Sequence, residues 1–289
     1  MELLYGRLRW LRCGNLERFG EVAVERLRTD FASPEELSAY IRELVPWAVG
    51  EACSTEGGRL AAERALARVQ PAAYARTRNF GDGQVTRLSA YIRHGVISLN
   101  EVRNRALERV PRAEEAEKLI QELAWRDYWQ RVRAEHPQWM WSDIEPYKTG
   151  FDSAEYALEM PTDIVEGRTG VACLDYFIGE LIATGYLHNH ARMYLAAYVV
   201  HFRRVRWQAG AKWFLEHLLD GDLASNNLSW QWVASTFSNK PYVFNLENVM
   251  RYFGRTVDVR AESNRELDAS YEELDARLFP RLGGMRGAR

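Results

Sequence analysis

Apolar residues recur at helical spacing along most of this chain, and nowhere do they alternate with polar residues over a stretch long enough to demand a strand. There is no βαβ rhythm and no GxGxxG turn, which argues against a Rossmann-type nucleotide domain. The spacing predicts helices over Glu21 to Phe31, from Ser33-Pro34 onward with Leu37, Tyr40, Ile41 and Leu44 as its stripe, and over Arg59 to Val69. A loop is expected from Ala75 to Gln84, where Asn79, Gly81, Asp82 and Gly83 break the pattern. Helices then follow over Leu88 to His94, Ser98 to Val110 and Ala113 to Arg133, with an irregular stretch from Pro137 to Thr162. The last three are expected over Cys173 to Thr184, His188 to Val205 and Gly210 to Leu219. The predicted fold is therefore all-α, an irregular helical bundle.

With 289 residues, the chain can form one large domain. We expect a single domain over 1–289, with residues 1–70 as a helical cap. Apolar residues at 47% allow a packed core, and a formal net charge of −2 gives no bulk attraction for nucleic acid, so any basic patch must be local. Cys13, Cys53 and Cys173 stand far apart without CxxC or Cys/His pairing, which points to reduced thiols and away from zinc. The N-terminus lacks the apolar run of a signal peptide, and Tyr194 to Val200 is too short to span a bilayer. A cytoplasmic protein without membrane contact is the expectation.

Four segments carry more than packing. Val85-Thr86-Arg87-Leu88-Ser89 opens a predicted helix after a glycine-containing loop; its free N–H groups and Arg87 suit a phosphate, although taken alone a plain helix cap is the more common reading. In the segment from Glu122 to Trp129, Glu122, Trp125 and Trp129 share one helix face; a carboxylate beside two indoles requires a polar partner, and a surface-edge helix with a salt-bridged glutamate accounts for the same pattern. Asn189 and Met193 share a face at i, i+4, whereas His188 and His190 at i, i+2 point apart and cannot ligate one metal from a helix. In the fourth segment, Asp220 and Asp222 flank a glycine, Asn226 and Trp230 share a face, and Trp232 lies about 200° around the helix from Trp230. The EF-hand ligand pattern is absent there.

Together these segments resemble the FAD-binding domain of the photolyase/cryptochrome family. TRLSAYIRHGVIS, ELAWRDYW, TGYLHNHARM and DGDLASNNLSWQW stand in the family's order, across roughly Tyr74 to Asn245. The resemblance implies FAD as cofactor. It implies that Tyr74, Thr86, Arg87, Leu88 and Ser89 hold the phosphates and ribityl, that Asp220 and Asp222 contact the flavin and adenine parts, and that Arg192 pairs with Asp220. Asn226 is implied to face flavin N5, with an amide that can donate or accept. Trp230 and Trp207 are implied to be the first two indoles of an electron-transfer chain.

The resemblance also implies a lesion pocket formed by Glu122, Trp125, Asn189, Met193 and Trp232, gripping a flipped pyrimidine dimer between aromatic faces. Burial beside the indoles would keep Glu122 protonated. The implied partner is DNA carrying pyrimidine dimers, bound weakly and preferably as a single strand, and the implied activity is that of a deoxyribodipyrimidine photo-lyase. The missing antenna, His190 and the weak net charge favour the alternative, a cryptochrome-like blue-light sensor or redox flavoprotein without repair. The match begins near Tyr74 with only helices before it, so no antenna chromophore of the usual kind is expected. His190 stands where repair enzymes have an arginine. The position of the family's third tryptophan falls at Ala154, which cannot relay an electron, leaving Tyr147, Tyr156, Trp139 or Trp141 as substitutes.

Overall fold

The computed structural model describes residues 27–46, 53 and 55–282. The chain divides into two units, 1–52 and 53–289. Thirteen α-helices and several short 3₁₀ turns occur among the described residues, and the only extended pairing there is an isolated bridge between Ala157 and Val205.

In the first unit, α1 (Pro34–Leu44) begins where the sequence predicts: Ser33 accepts from the Glu36 amide and proline occupies the first turn. Its stripe of Leu37, Ile41 and Leu44 is exposed. Residues 27–31 are not helical, contrary to expectation; Arg28 ion-pairs with Glu36 and Phe31 packs on Tyr40, which draws this segment across α1. The remainder of that expected helix, 21–26, lies outside the described residues.

The second unit opens with α2 (Arg59–Ala67) and α3 (Pro71–Thr77). Helix α3 takes in Ala75 to Thr77, which the breaker residues had assigned to a loop; Pro71 in its first turn pre-sets the helix start. Next come α4 (Ser89–Arg93) and α5 (Leu99–Glu108), the latter fixed by a reciprocal cap between Ser98 and Glu101. The long helix expected from Ala113 is divided. Ala113–Glu115 is a 3₁₀ turn, and α6 runs from Glu117 to Glu135. A first apolar cluster joins Ala62, Leu66, Leu88, Ile97, Val102 and Leu119, so α2, α5 and the start of α6 form one packed layer.

After the irregular stretch and the single turn α7 (Thr162–Val165) come α8 (Ala172–Thr184) and α9 (Asn189–Ala197). Gly185 ends α8 in the left-handed region at φ 65°, and a Cβ there would press on Leu219. Helix α9 continues as a π turn, Tyr198–Phe202. Helices α10 (Trp207–His217), α11 (Leu223–Ala234), α12 (Leu246–Phe253) and α13 (Tyr271–Leu278) complete the unit. The main core lies among α8 to α12, with Phe177, Tyr194, Tyr198, Trp207, Phe214 and Trp230 almost wholly buried. Helix α11 packs against α6, α9 and α10, which places it at the centre of the unit.

Candidate functional site

The loop between α10 and α11 holds a buried carboxylate. Asp220 Oδ2 accepts from Arg192 Nη2 at 2.9 Å, and Arg192 is oriented by a second donation, from Nε to the Leu187 carbonyl at 2.9 Å. Burial drives the Asp220 pKa upward, but the charge and hydrogen bond of Arg192, helped by the Ser89 hydroxyl, outweigh it and hold the group ionised. Its other oxygen, Oδ1, is buried without a partner, as is Ser225 Oγ. The loop is pinned from α4, where Arg93 donates to the Gly221 carbonyl at 2.7 Å and His94 Nε2 meets the Leu219 carbonyl at 2.9 Å. The Tyr186 ring lies under two guanidiniums, Arg87 at 4.6 Å and Arg192 at 5.9 Å.

Two cavities open on this floor. One, of about 160 Å³, is lined by Arg68, Arg87, Ser89, Tyr186 and Asp220. The other, of about 250 Å³, is lined by Arg68, Gln70, Tyr74, Gln84, Thr86 and Arg87. Arg68 and Arg87 belong to both. The segment carrying Thr86 and Arg87 reaches them as a non-helical strap, because α4 starts only at Ser89. Arg87 sits at φ 51°, and Thr86 Oγ1 accepts the Leu88 amide at 3.4 Å. The Leu88 side chain is 1% exposed in the apolar cluster, so only its backbone is available to a ligand. Burial raises the Tyr74 phenol to about 12, so it stands ready as a neutral donor.

Helix α11 presents three more of the sequence candidates. Asp222 caps it by accepting the Ser225 amide at 2.8 Å; the same oxygen accepts from Gln130 Nε2 at 2.7 Å, and Arg126 approaches the other at 3.9 Å. Gln130 and Arg126, spaced i, i+4 on α6, were not singled out from the sequence, although their shared face was readable. Tyr186 was missed as well; an aromatic beside a helix-ending glycine carries no signal of its own. Asn226 spends both amide hydrogens, on the Ala211 carbonyl at 3.0 Å and Asn227 Oδ1 at 2.9 Å. It therefore offers a ligand only its carbonyl oxygen, not the donor-or-acceptor choice expected from its residue type. Trp230 is 2% exposed and its benzo ring packs against Gly210, where any Cβ would overlap the indole. Trp207, on the same helix as Gly210, is wholly buried.

Trp232 points outward at 42% exposure, beside Tyr242 at 5.8 Å. On α6, Trp125 is 46% exposed; it stacks on Trp129 at 5.3 Å and meets Tyr128 edge-on at 5.7 Å. Asn189 is exposed at the first turn of α9 and Met193, one turn on, is half-buried. These residues lie on α6, α9 and α11, and α11 touches both of the others. The Glu122 carboxylate is met by Lys118 at 2.9 Å and Arg78 at 3.3 Å, the salt-bridged arrangement that the sequence left open beside the lesion-pocket reading. His190 faces Tyr252 at 4.6 Å and Tyr194 at 4.8 Å, and burial lowers its pKa.

Among the described residues no cluster of side chains could hold a metal ion, and no helix is long and apolar enough to cross a membrane. The family model described as the FAD binding domain of DNA photolyase matches residues 119–266, which is 148 of the 289 residues. The chain belongs to that family. The cofactor of this domain is FAD, and the residues present suit it: cavities flanked by arginines for a diphosphate, and a buried carboxylate oxygen and hydroxyl without partners.

Among relatives, the deoxyribodipyrimidine photo-lyase of Streptomyces griseus is 38% identical over 151 residues, 52% of this chain and 32% of that protein. The photo-lyase of Vibrio cholerae is 29% identical over 234 residues, 73% of this chain and 46% of that one. The chain thus spans between about a third and just under half of these relatives. Among solved structures, the archaeal photolyase of Sulfolobus tokodaii, crystallised with two FAD molecules, gives a TM-score of 0.61 at 25% identity, covering 86% of this chain and 54% of that one. The Synechocystis cryptochrome gives 0.62 at 21% identity, covering 83% and 52%, and shares the fold.

Proposed function

We propose that this protein uses reduced FAD and light to split cyclobutane pyrimidine dimers in DNA, preferably in single strands. One observation carries the reading: α11 joins a buried polar floor to an exposed aromatic ledge, with Asp222, Asn226 and Trp230 turned in and Trp232 turned out. Reduced FAD, when bound, supplies the excited electron that opens the cyclobutane ring, and the protein supplies position and electrostatics. Arg87, Thr86, Tyr74, Ser89 and the Leu88 backbone hold the phosphates and ribityl. The Arg192–Asp220 pair fixes the ring system, and Asp222 serves the adenine side. Asn226 Oδ1 would accept a hydrogen bond from a protonated ring nitrogen of the cofactor and so favour its reduced form.

On the ledge, Trp125 and Trp232 stack on the flipped bases, Asn189 hydrogen-bonds a base edge and Met193 fills the apolar gap. Glu122 takes part only when a ligand displaces Arg78 or Lys118 from its carboxylate. Single strands are the better substrate because no duplex is opened before the lesion enters. Trp230 and Trp207 pass electrons to the flavin site.

A blue-light sensor without repair is the second reading. His190 favours it, since its ring is packed among tyrosines and kept neutral, and offers no charge to a phosphate. The test is blue-light exposure of flavin-loaded, chemically reduced protein with dimer-containing oligothymidylate. Recovery of thymine absorbance supports repair. Loss of the dimer signal in neither light nor dark rejects it and leaves the sensor.

A further inference from the structure

The loop after α3 is fastened to the last turn of α12. The Gly81 amide donates to the Tyr252 carbonyl at 2.8 Å, and a Cβ on Gly81 would overlap the Phe253 ring, so only glycine lets the loop sit this close. Arg255 adds an ion pair to Asp82 at 2.8 Å. The loop thereby sets Phe80 against Tyr252, ring centres 5.3 Å apart. From α9, His190 meets Tyr252 at 4.6 Å, and its Nδ1 donates to the Asn79 carbonyl at 3.1 Å. Phe80, Tyr252 and His190 are each half-buried, so tilted rings from a loop and two helices form a patch that is not sealed from solvent. Burial lowers the His190 pKa, which leaves the rings neutral. Charge stands at the edge: Arg251 is exposed, lies 5.5 Å from the Tyr252 ring centre, and makes no ion pair among the described residues. The patch adjoins the ledge, because Arg78, which pairs with Glu122, precedes Asn79, and Asn189 precedes His190. Neutral ring faces beside a cation suit a nucleobase and its phosphate.

We propose that Phe80, Tyr252 and His190 form a stacking subsite for the unpaired base next to the dimer in a single strand, with Arg251 on the adjoining phosphate. The proposal rests on the reading that the ledge takes a dimer in single-stranded DNA, and it names what sets that preference. In a duplex the neighbouring base is held in its own stack and pair, and freeing it costs energy. In a single strand it is free to stack on the protein. The preference is therefore set by a base rather than by bulk charge, which at −2 gives no attraction for a strand.

Fluorescence anisotropy with flavin-loaded protein and dimer-containing oligothymidylate tests this. The complete strand is compared with strands carrying an abasic nucleotide on one side of the dimer or on the other. One of the abasic strands should bind the parent at least about fivefold more weakly, the lower end for loss of one stacked base. Tyr252→Leu keeps an apolar side chain; at unchanged flavin content it should weaken the complete strand by a similar factor and bind all the strands equally. Arg251→Gln should keep the abasic penalty and lower the log–log salt slope by about 0.7. Equal affinity of the parent for all the strands overturns the subsite and leaves the patch to a protein partner. An abasic penalty that survives in Tyr252→Leu overturns it as well. If Tyr252→Leu does not fold, the parent comparison alone decides. Dimer-free strands judge the ledge separately: equal affinity with and without the dimer rejects the lesion reading, not the subsite. No binding of any strand overturns both.

Discussion

The floor around Asp220 and the ledge around Trp125 are built on opposite principles. The floor buries a charged pair, leaves Asp220 Oδ1 and Ser225 Oγ without partners, and holds Arg87 in the left-handed region. Each of these features costs stability in the empty protein. The ledge satisfies itself: its indoles stack on one another, and Glu122 is already paired by Arg78 and Lys118. The floor is thus organised in advance for a resident ligand, and the ledge is left open for a visitor that must displace existing contacts. Loss of a floor residue should therefore cost folding and cofactor together, while loss of a ledge residue should cost binding alone.

The sharpest way to break this contrast is Asp220→Ala. It leaves Arg192 without its carboxylate beside a buried loop, and we expect a loss of about 3 kcal/mol in stability together with loss of flavin from the purified protein. Full flavin occupancy with an unchanged urea midpoint would remove the distinction between the two regions.

Acidification should act on the same side. Burial lowers both His188, the residue capping α9 beside the floor, and His201 to about 4. Their unfolded value is about 6.5, so the unfolded chain binds more protons between those limits. Their contribution is complete above about pH 6.5 and is lost as pH falls toward 4, by about 1 kcal/mol per unit for each histidine. Urea titrations at about pH 7.5 and about pH 5 should show the lower midpoint in acid; equal midpoints would mean that neither ring is held neutral.

How much of the contrast was legible in the sequence differs between the two regions. The helical fold follows from spacing alone, and the outward Trp232 with the inward Trp230 follows from two residues of helical rotation. The full set of partners of Glu122 does not. Lys118 at i−4 was readable, but Arg78 comes from the end of α3, where the breaker residues pointed to a loop. The spent amide of Asn226 is likewise hidden, because its acceptor, the Ala211 carbonyl, belongs to a neighbouring helix. Local pattern determines which face a residue takes; its partners on that face come from tertiary packing.

Gly210→Ala sharpens the contrast from within the core. The added methyl must push the Trp230 indole off α10, and overpacking of this kind costs about 1–3 kcal/mol. We expect a lower melting temperature and altered quenching of bound flavin. An unchanged melting temperature would show that the indole yields freely.

Trp125→Ala gives the smallest folding effect, within about 0.5 kcal/mol for an exposed site. Flavin should stay in place, while lesion binding weakens by about 1–3 kcal/mol for a lost stacking face. Gel-shift or anisotropy titration with a dimer-containing strand measures this, and equal affinity in parent and variant would assign Trp125 to packing.

The π turn at Tyr198–Phe202 makes chain length itself a setting in this protein. Each π hydrogen bond encloses one residue more than an α bond, so everything after it is rotated by about 100° relative to an unbroken helix. His201 reaches the Val233 carbonyl, and Arg203 reaches Asp163, only with that extra residue in place. A single-residue deletion here would turn the approach to Trp207 onto a different bearing while leaving composition and apolar content almost untouched. In comparisons among relatives, a one-residue gap at this point therefore outweighs many substitutions elsewhere.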